Sequence, residues 1–250
     1  MEKIIYAIIA NAGKTEQVND YVTNIRGITG SNLYALHFNE ISVAVSDFQS
    51  SKFIISKELA IDFARVIEAL SQQLTVLPIR FGTVVKSDEI INQLLTDNYN
   101  AFRDNLLKVE NKHEFGLKVI WDYDKCSEKI RSKVESEEIN AGKYFSKSTI
   151  NTNYLLEKLK KHRLEDAVLK HVELLIEEIS RFLAQINPDC KFKKMLSQNI
   201  ILDGVFLVEK NMKSEFIEAI EALKQQHDDL HFLLTGPWPP YSFVEIQIDK

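Results

Sequence analysis

The sequence predicts an α+β protein of two domains, and three observations carry that prediction. Short apolar runs rich in β-branched residues alternate with segments whose apolar residues recur at helical spacing. One order of elements can be read twice along the 250 residues, a length that suits one large domain or two modest ones. A long helical stretch interrupts the second pass.

The first pass opens with Lys3–Ala10, an apolar run expected to be a strand, which Gly13 breaks. Val18, Tyr21, Val22 and Ile25 then fall at i, i+3, i+4 and i+7, the signature of an amphipathic helix. After a turn at Gly27–Gly30, Asn32–Phe38 and Ile41–Asp47 alternate in polarity across Asn39 and Glu40, which predicts a hairpin. Ser56 suits the N-cap of a helix that places Ala60, Phe63, Ala64, Ile67, Leu70 and Leu74 on one face. Pro78 stops that pattern, and Ile79–Val85 reads as strand. The order β-α-β-β-α-β within about 85 residues is the one that builds a ferredoxin-like sheet with two helices on one face.

A helix is expected over Asp88–Val109, with Ile91, Leu94, Leu95, Phe102, Leu106 and Val109 as its apolar side. Phe115–Trp121 opens the second pass as a strand. The polar, Lys- and Ser-rich stretch Glu135–Asn151 predicts a mobile connection. Thr152 suits a helix cap, and Val168, Val172, Leu175, Ile179, Phe182 and Ile186 form a stripe that Asn187 and Pro188 end. An unbroken helix from Thr152 to Ile186 would measure about 50 Å, more than a small sheet needs. Part of it is therefore expected to project as a helical hairpin or to pack on another chain. Phe192–Leu196 and Ile200–Glu209 are strand-like, with Asp203-Gly204 offering a tight turn or a bulge. A helix marked by Phe216, Ile217, Ile220 and Leu223 and a strand over Leu230–Thr235 complete the pass. The expected boundaries are 1–110 for an N-terminal α+β domain with its linking helix and 111–250 for the second domain, whose helical insert covers about 124–187.

Composition narrows the function. Thirty-one Lys plus Arg against 36 Asp plus Glu give a net charge of −5, so no overall positive field draws phosphate backbones or anionic lipid. Nucleic acid and membrane are not expected partners. The apolar run at the N-terminus carries one preceding Lys and no signal-peptidase site, and no stretch approaches the ~20 apolar residues that span a bilayer. A cytoplasmic location follows as the expectation. Cys126 and Cys190 form no C-x-x-C pair, which fits a reducing compartment and structural roles.

Signatures of chemistry are weak. His227 and His231 superficially imitate a zinc-binding pair, but the helix is expected to end near Gln226 and a strand to start at Leu230, so the rings would not sit one turn apart. His37, His113, His162 and His171 stand alone without ligand spacing. The sequence holds no nucleophile elbow, phosphate loop or dinucleotide turn, and eight glycines supply little material for cradling phosphate. Acidic pairs such as Glu137-Glu138, Glu177-Glu178 and Asp228-Asp229 read as solvated charge, because acid/base work needs pKa values driven apart by burial. No catalytic residue, metal site or cofactor is expected.

Three segments stand out. Leu77-Pro78-Ile79-Arg80-Phe81-Gly82-Thr83 sets an arginine among apolar neighbours, where Arg80 serves either a structural ion pair or a docking partner. Gly116-Leu117-Lys118-Val119 reads by itself as a strand with a glycine. In Gly236-Pro237-Trp238-Pro239-Pro240-Tyr241-Ser242-Phe243, three prolines stiffen the backbone while Trp238, Tyr241 and Phe243 supply large amphipathic surface. Stiff backbone lowers the ordering entropy lost on docking, so a binding role stands beside the plainer alternative that Trp238 plugs its own domain's core.

Together these segments resemble the hallmark blocks of the gas vesicle F/L family. They match its L-P-[VI]-R-F-G-T block, its G-[VL]-K-V strand and its T-G-P-W-P-P-Y-S-F block, here Thr235–Phe243, in the family's order. Phe115 stands where a tryptophan would be expected before the glycine, and the helical middle matches loosely. The resemblance implies a cytoplasmic accessory protein of two α+β domains, the second a modified ferredoxin-like fold. It implies association with the main gas vesicle shell protein and other accessory proteins, and no catalytic residues. Arg80, Trp238, Pro239, Pro240, Tyr241 and Phe243 become the candidate partner-binding residues. The alternative function is a small-molecule-binding regulatory module of tandem ferredoxin-like domains, which rests on fold analogy.

Overall fold

The computed structural model describes residues 2–49, 56–140, 150–194, 200–227 and 229–244, which build a mixed α+β fold around two sheets. The first sheet takes β1 (Lys3–Ala10), β2 (Leu33–Phe38), β3 (Ile41–Asp47), β4 (Val76–Pro78) and β5 (Val84–Val85). Its spatial order is β2-β3-β1-β4, every pair is antiparallel, and β5 also pairs with β1. From Ile4 to Ile9 no side chain of β1 is more than 1% exposed, which is why that strand reads as a continuous apolar run rather than an alternating one.

Helices α1 (Thr15–Thr23) and α2 (Lys57–Gln73) contribute Val18, Val22, Phe63, Val66, Ile67 and Leu70 to one buried cluster with residues of these strands. Tyr6 stacks on Phe63 at 5.0 Å, and its hydroxyl pairs with Ser46 Oγ at 3.0 Å and accepts the Ile28 N–H at 3.0 Å, so the buried phenol is satisfied. Ser56 caps α2 as its position predicts, its Oγ accepting the Leu59 N–H. The β2–β3 turn places Asn39 at φ 51°, and the buried Asn11 donates to the carbonyls of Asn39 and Ile41, tying the end of β1 to that turn.

Two expectations for this region are corrected. The strand expected over Ile79–Val85 is interrupted: β4 ends at Pro78 and β5 begins at Val84. Between them the Thr83 N–H and hydroxyl both bond to the Arg80 carbonyl, and Gly82 takes φ +88°, so a turn replaces the ladder. The helix expected over Asp88–Val109 divides into α3 (Asp88–Asp97) and α4 (Tyr99–Val109). Asn98 leaves helical geometry at φ −113°, ψ 11°, and its side-chain amide donates to the Leu94 carbonyl, a local bond that competes with the helix ladder. Ile91, Leu95, Phe102, Leu106 and Val109 are buried as the apolar stripe predicts.

The second sheet takes β6 (Lys112–Trp121), β7 (Cys190–Lys194), β8 (Ile200–Glu209) and β9 (Leu230–Trp238) in the order β7-β8-β6-β9. Counted within its own half, this order is second-third-first-fourth, as in the first sheet. Helix α5 (Tyr123–Asn140) packs along α6 (Ile150–Ile186), and α7 (Lys213–Gln226) precedes β9. The α6 seam runs through Val168, Val172, Ile176, Ile179 and Leu183, while Leu175, Phe182 and Ile186 lie half-buried on its flank. Phe216 sits between Phe115 at 5.5 Å and Phe206 at 5.2 Å.

Here too the reading needs correction. The expected connection over 135–151 overlaps the end of α5, which continues to Asn140, while 141–149 lie outside the described residues. Because α6 begins at Ile150, Thr152 sits within its first turn and not at its cap. Met195 and Leu196 of the Phe192–Leu196 strand likewise fall outside the described residues. Asp203-Gly204 is neither turn nor bulge: Gly204 pairs directly with Phe192, and a Cβ there would meet the Phe192 ring at 3.0 Å, so the glycine makes room for an aromatic across the ladder.

The chain packs as two units. One gathers Met1–Glu114, Leu207–Lys210 and Gly236–Lys250; the other gathers Phe115–Phe206 and Asn211–Thr235. The stretch from Gly236 onward thus belongs with the N-terminal unit, although the sequence places it in the second half.

Candidate functional site

In the Leu77–Thr83 block the fold accounts for every residue but one. Leu77 is buried, Pro78 pairs with Ala7, and the Ile79 N–H bonds to the Tyr6 carbonyl. Phe81 meets Phe63 edge-on at 5.2 Å, Gly82 supplies the positive φ, and Thr83 closes the turn. Arg80 sits at that turn with its side chain exposed, and among the described residues it joins no ion pair, so the structural ion pair considered from sequence is not formed there.

The Thr235–Phe243 block sorts in the same way. Thr235 packs on Gly116, where a Cβ would approach the Thr235 Oγ1 to 2.8 Å, and the hydroxyl bonds to the Gly116 carbonyl. That close approach explains why the Gly116–Val119 strand carries a glycine, a reason its sequence does not disclose. Gly236 takes φ +113°. Pro239 and Pro240 are buried against a crevice that includes Leu74, Val76 and Val109, and Phe243 is 3% exposed. Phe243, not Trp238, is therefore the ring that plugs the core. Trp238 remains 41% exposed and Tyr241 45% exposed.

From Pro239 to Phe243 every backbone N–H is bonded. Prolines 239 and 240 have no N–H to satisfy. Beyond them the Tyr241 N–H reaches the Pro239 carbonyl at 2.8 Å and the Phe243 N–H reaches the Pro240 carbonyl at 3.3 Å. The remaining donor, Ser242 N–H, goes to Glu114 Oε2 at 2.7 Å, and the Ser242 hydroxyl donates to Glu114 Oε1 at 2.7 Å. Glu114 is 6% exposed, a carboxylate held at the start of β6, and it lies outside the set of candidates read from the sequence. The signal that could have singled it out is a charge heading an apolar strand, since a buried charge needs dedicated donors. Burial first, then the Glu68 and Glu114 carboxylates, push the Tyr241 phenol up to about 12.

Among the described residues no three His, Cys, Asp or Glu side chains gather as a metal site, and no described helix is long and apolar enough to cross a membrane. The crevice beside Pro239 and Pro240 encloses about 10 Å³, roughly the space one water needs, so it has no room for a nucleotide or amino acid. Burial pushes the Cys126 and Cys190 thiols up, away from the reactive thiolate form.

Comparison with known proteins agrees with the blocks. The family described as Gas vesicle synthesis protein GvpL/GvpF matches residues 3–245. Gas vesicle protein F1 of Halobacterium salinarum is 22% identical over 92% of this chain and 89% of its own. Gas vesicle protein L1 of the same organism is 22% identical over 87% of this chain and 83% of its own. Two solved structures share the fold. The gas vesicle protein GvpF from Anabaena sp. PCC7120 aligns with a TM-score of 0.79 at 18% identity, covering 99% of each chain. GvpF from Microcystis aeruginosa aligns with a TM-score of 0.73 at 20% identity, covering 98% of this chain and 99% of its own.

Proposed function

The chain belongs to the gas vesicle synthesis protein GvpL/GvpF family, and from that premise we propose that it is a non-enzymatic assembly factor or minor structural component of gas vesicles. It binds the main shell protein and other accessory proteins, and it does so in the cytoplasm. Arg80, Trp238 and Tyr241 make the contacts, while Pro239, Pro240 and Phe243 hold the aromatic face in place. We also read each half as a ferredoxin-like domain, with the division near residue 110 and the second domain carrying α5 and α6 as its insert; the shared second-third-first-fourth strand order supports this.

The observation that carries the functional reading is a subtraction. Within the two most specific blocks, packing, turn geometry and hydrogen bonding occupy the side chains other than those of Arg80, Pro237, Trp238 and Tyr241, and of these four Arg80, Trp238 and Tyr241 are the large ones left exposed. Arginine, tryptophan and tyrosine are the residue types that dominate binding energy at protein interfaces. Rigid support adds to this, because little conformational freedom is left to lose on docking. A partner whose apolar surface is covered only after it polymerises needs such a face during assembly.

The test is co-purification with the main shell protein. Trp238→Ala and Arg80→Glu should each weaken capture by about 2 kcal/mol, roughly 30-fold, with unchanged folding by circular dichroism. Undiminished capture and normal vesicle yield in both variants would refute the roles given to these side chains. A small-molecule regulator predicts instead a clear rise in Tm with a nucleotide or amino acid.

A further inference from the structure

We propose that Glu114 is the positioning residue of the Trp238–Tyr241 face, its carboxylate fixing the turn that aims both rings; this rests on the partner-binding reading above. Glu114 and Ser242 lie 128 positions apart in sequence, yet both carboxylate oxygens are engaged by the single residue Ser242, at 2.7 Å each. Such charge-assisted bonds are about twice as strong as neutral ones, and here they hold a carboxylate that burial would otherwise disfavour. The geometry is selective for the turn. Ser242 directly follows Tyr241, and its N–H is the donor left over once Tyr241 and Phe243 have bonded back to the two prolines. Removing the Glu114 carboxylate takes both 2.7 Å acceptors from the turn that follows Trp238, the last residue of β9, and leads from it to Tyr241. Glu114 also raises the Tyr241 phenol's pKa, after burial and Glu68.

The role predicts a graded response. Glutamine can replace both bonds, accepting the Ser242 N–H through its carbonyl and donating to the hydroxyl through its amide, whereas alanine can replace neither. The sequence contains two tryptophans, so in a Trp121→Phe background emission reports Trp238 alone. In that background Glu114→Ala should raise acrylamide quenching of Trp238 about twofold, lower its anisotropy, and weaken capture of detergent-solubilised main shell protein about tenfold. Glu114→Gln should retain most of both. Ser242→Ala, which keeps the N–H bond and loses the hydroxyl bond, should shift quenching in the same direction by less, and it serves if Glu114→Ala does not fold. Unchanged quenching and anisotropy in folded Glu114→Ala, with capture still lost in Trp238→Ala, overturns the Glu114 assignment alone. A mobile Trp238 with full capture in both Glu114→Ala and Trp238→Ala overturns the partner-binding reading, and the positioning role with it.

Discussion

At the scale of single residues, the N-terminal unit holds its charges in two different ways. Lys3 is nearly buried; its ammonium donates to the Tyr34 hydroxyl and to Asp47 at 3.1 Å, and it lies 3.3 Å from Asp88. The Tyr34 bond first, then the two aspartates, raise the Lys3 pKa against the opposing effect of burial. Burial works against ionised Asp47, but the Lys3 and Tyr34 bonds together outweigh it and hold that carboxyl below its ordinary value. Tyr241 is the opposite case, a phenol kept neutral. Its folded pKa of about 12 exceeds the ordinary value of 10.0, so above pH 10 the unfolded chain gives up a proton that the folded chain retains. The contribution of Tyr241 to stability is full below pH 10 and falls as the pH rises toward 12. Replacing Tyr241 with Phe should flatten that part of a denaturation-versus-pH curve; an unchanged slope would show that Tyr241 ionises normally.

At the scale of elements, periodicity located nearly every helix and strand, and two of the misses share a cause. The division at Asn98 and the interruption after Pro78 both arise where a side chain or a turn offers the backbone a hydrogen bond that competes with the regular ladder. Apolar spacing is blind to such bonds, because Leu94 and Phe102 keep helical phase across the break. Caps are more legible, as Ser56 shows, and Ser56→Ala should cost about 1 kcal/mol in urea unfolding. A value near zero would mean that the Leu59 N–H finds water equally well. On α6 the buried seam lies one residue beyond the expected stripe at Ile176 and Leu183. A 3.6-residue helix drifts against a strict 4-3 alternation, so a long stripe read at fixed spacing slides off the true seam.

At the scale of the whole molecule, the N-terminal unit is assembled from three separated stretches, the last of which follows β8, α7 and most of β9. Its integrity should therefore depend on Phe243. Phe243→Ala, which empties a site 3% exposed, should cost about 3–5 kcal/mol and speed hydrogen exchange at the Ala10 and Ile79 amides, whose acceptors are the Thr75 and Tyr6 carbonyls. Unaltered protection at those amides would show that the C-terminal block adheres without supporting the unit.

By itself the sequence determined the α+β class, the doubled order of elements, the resemblance to the family and the set of unusual residues in its blocks. These follow from local spacing, from turn chemistry and from short motifs, all of which are written in neighbouring residues. Only the tertiary structure decided which members of that set are occupied by the fold and which face solvent. Exposure, the Glu114–Ser242 contact and the Gly116–Thr235 approach depend on residues more than a hundred positions apart, and no local pattern records what a side chain will meet after the chain has closed on itself.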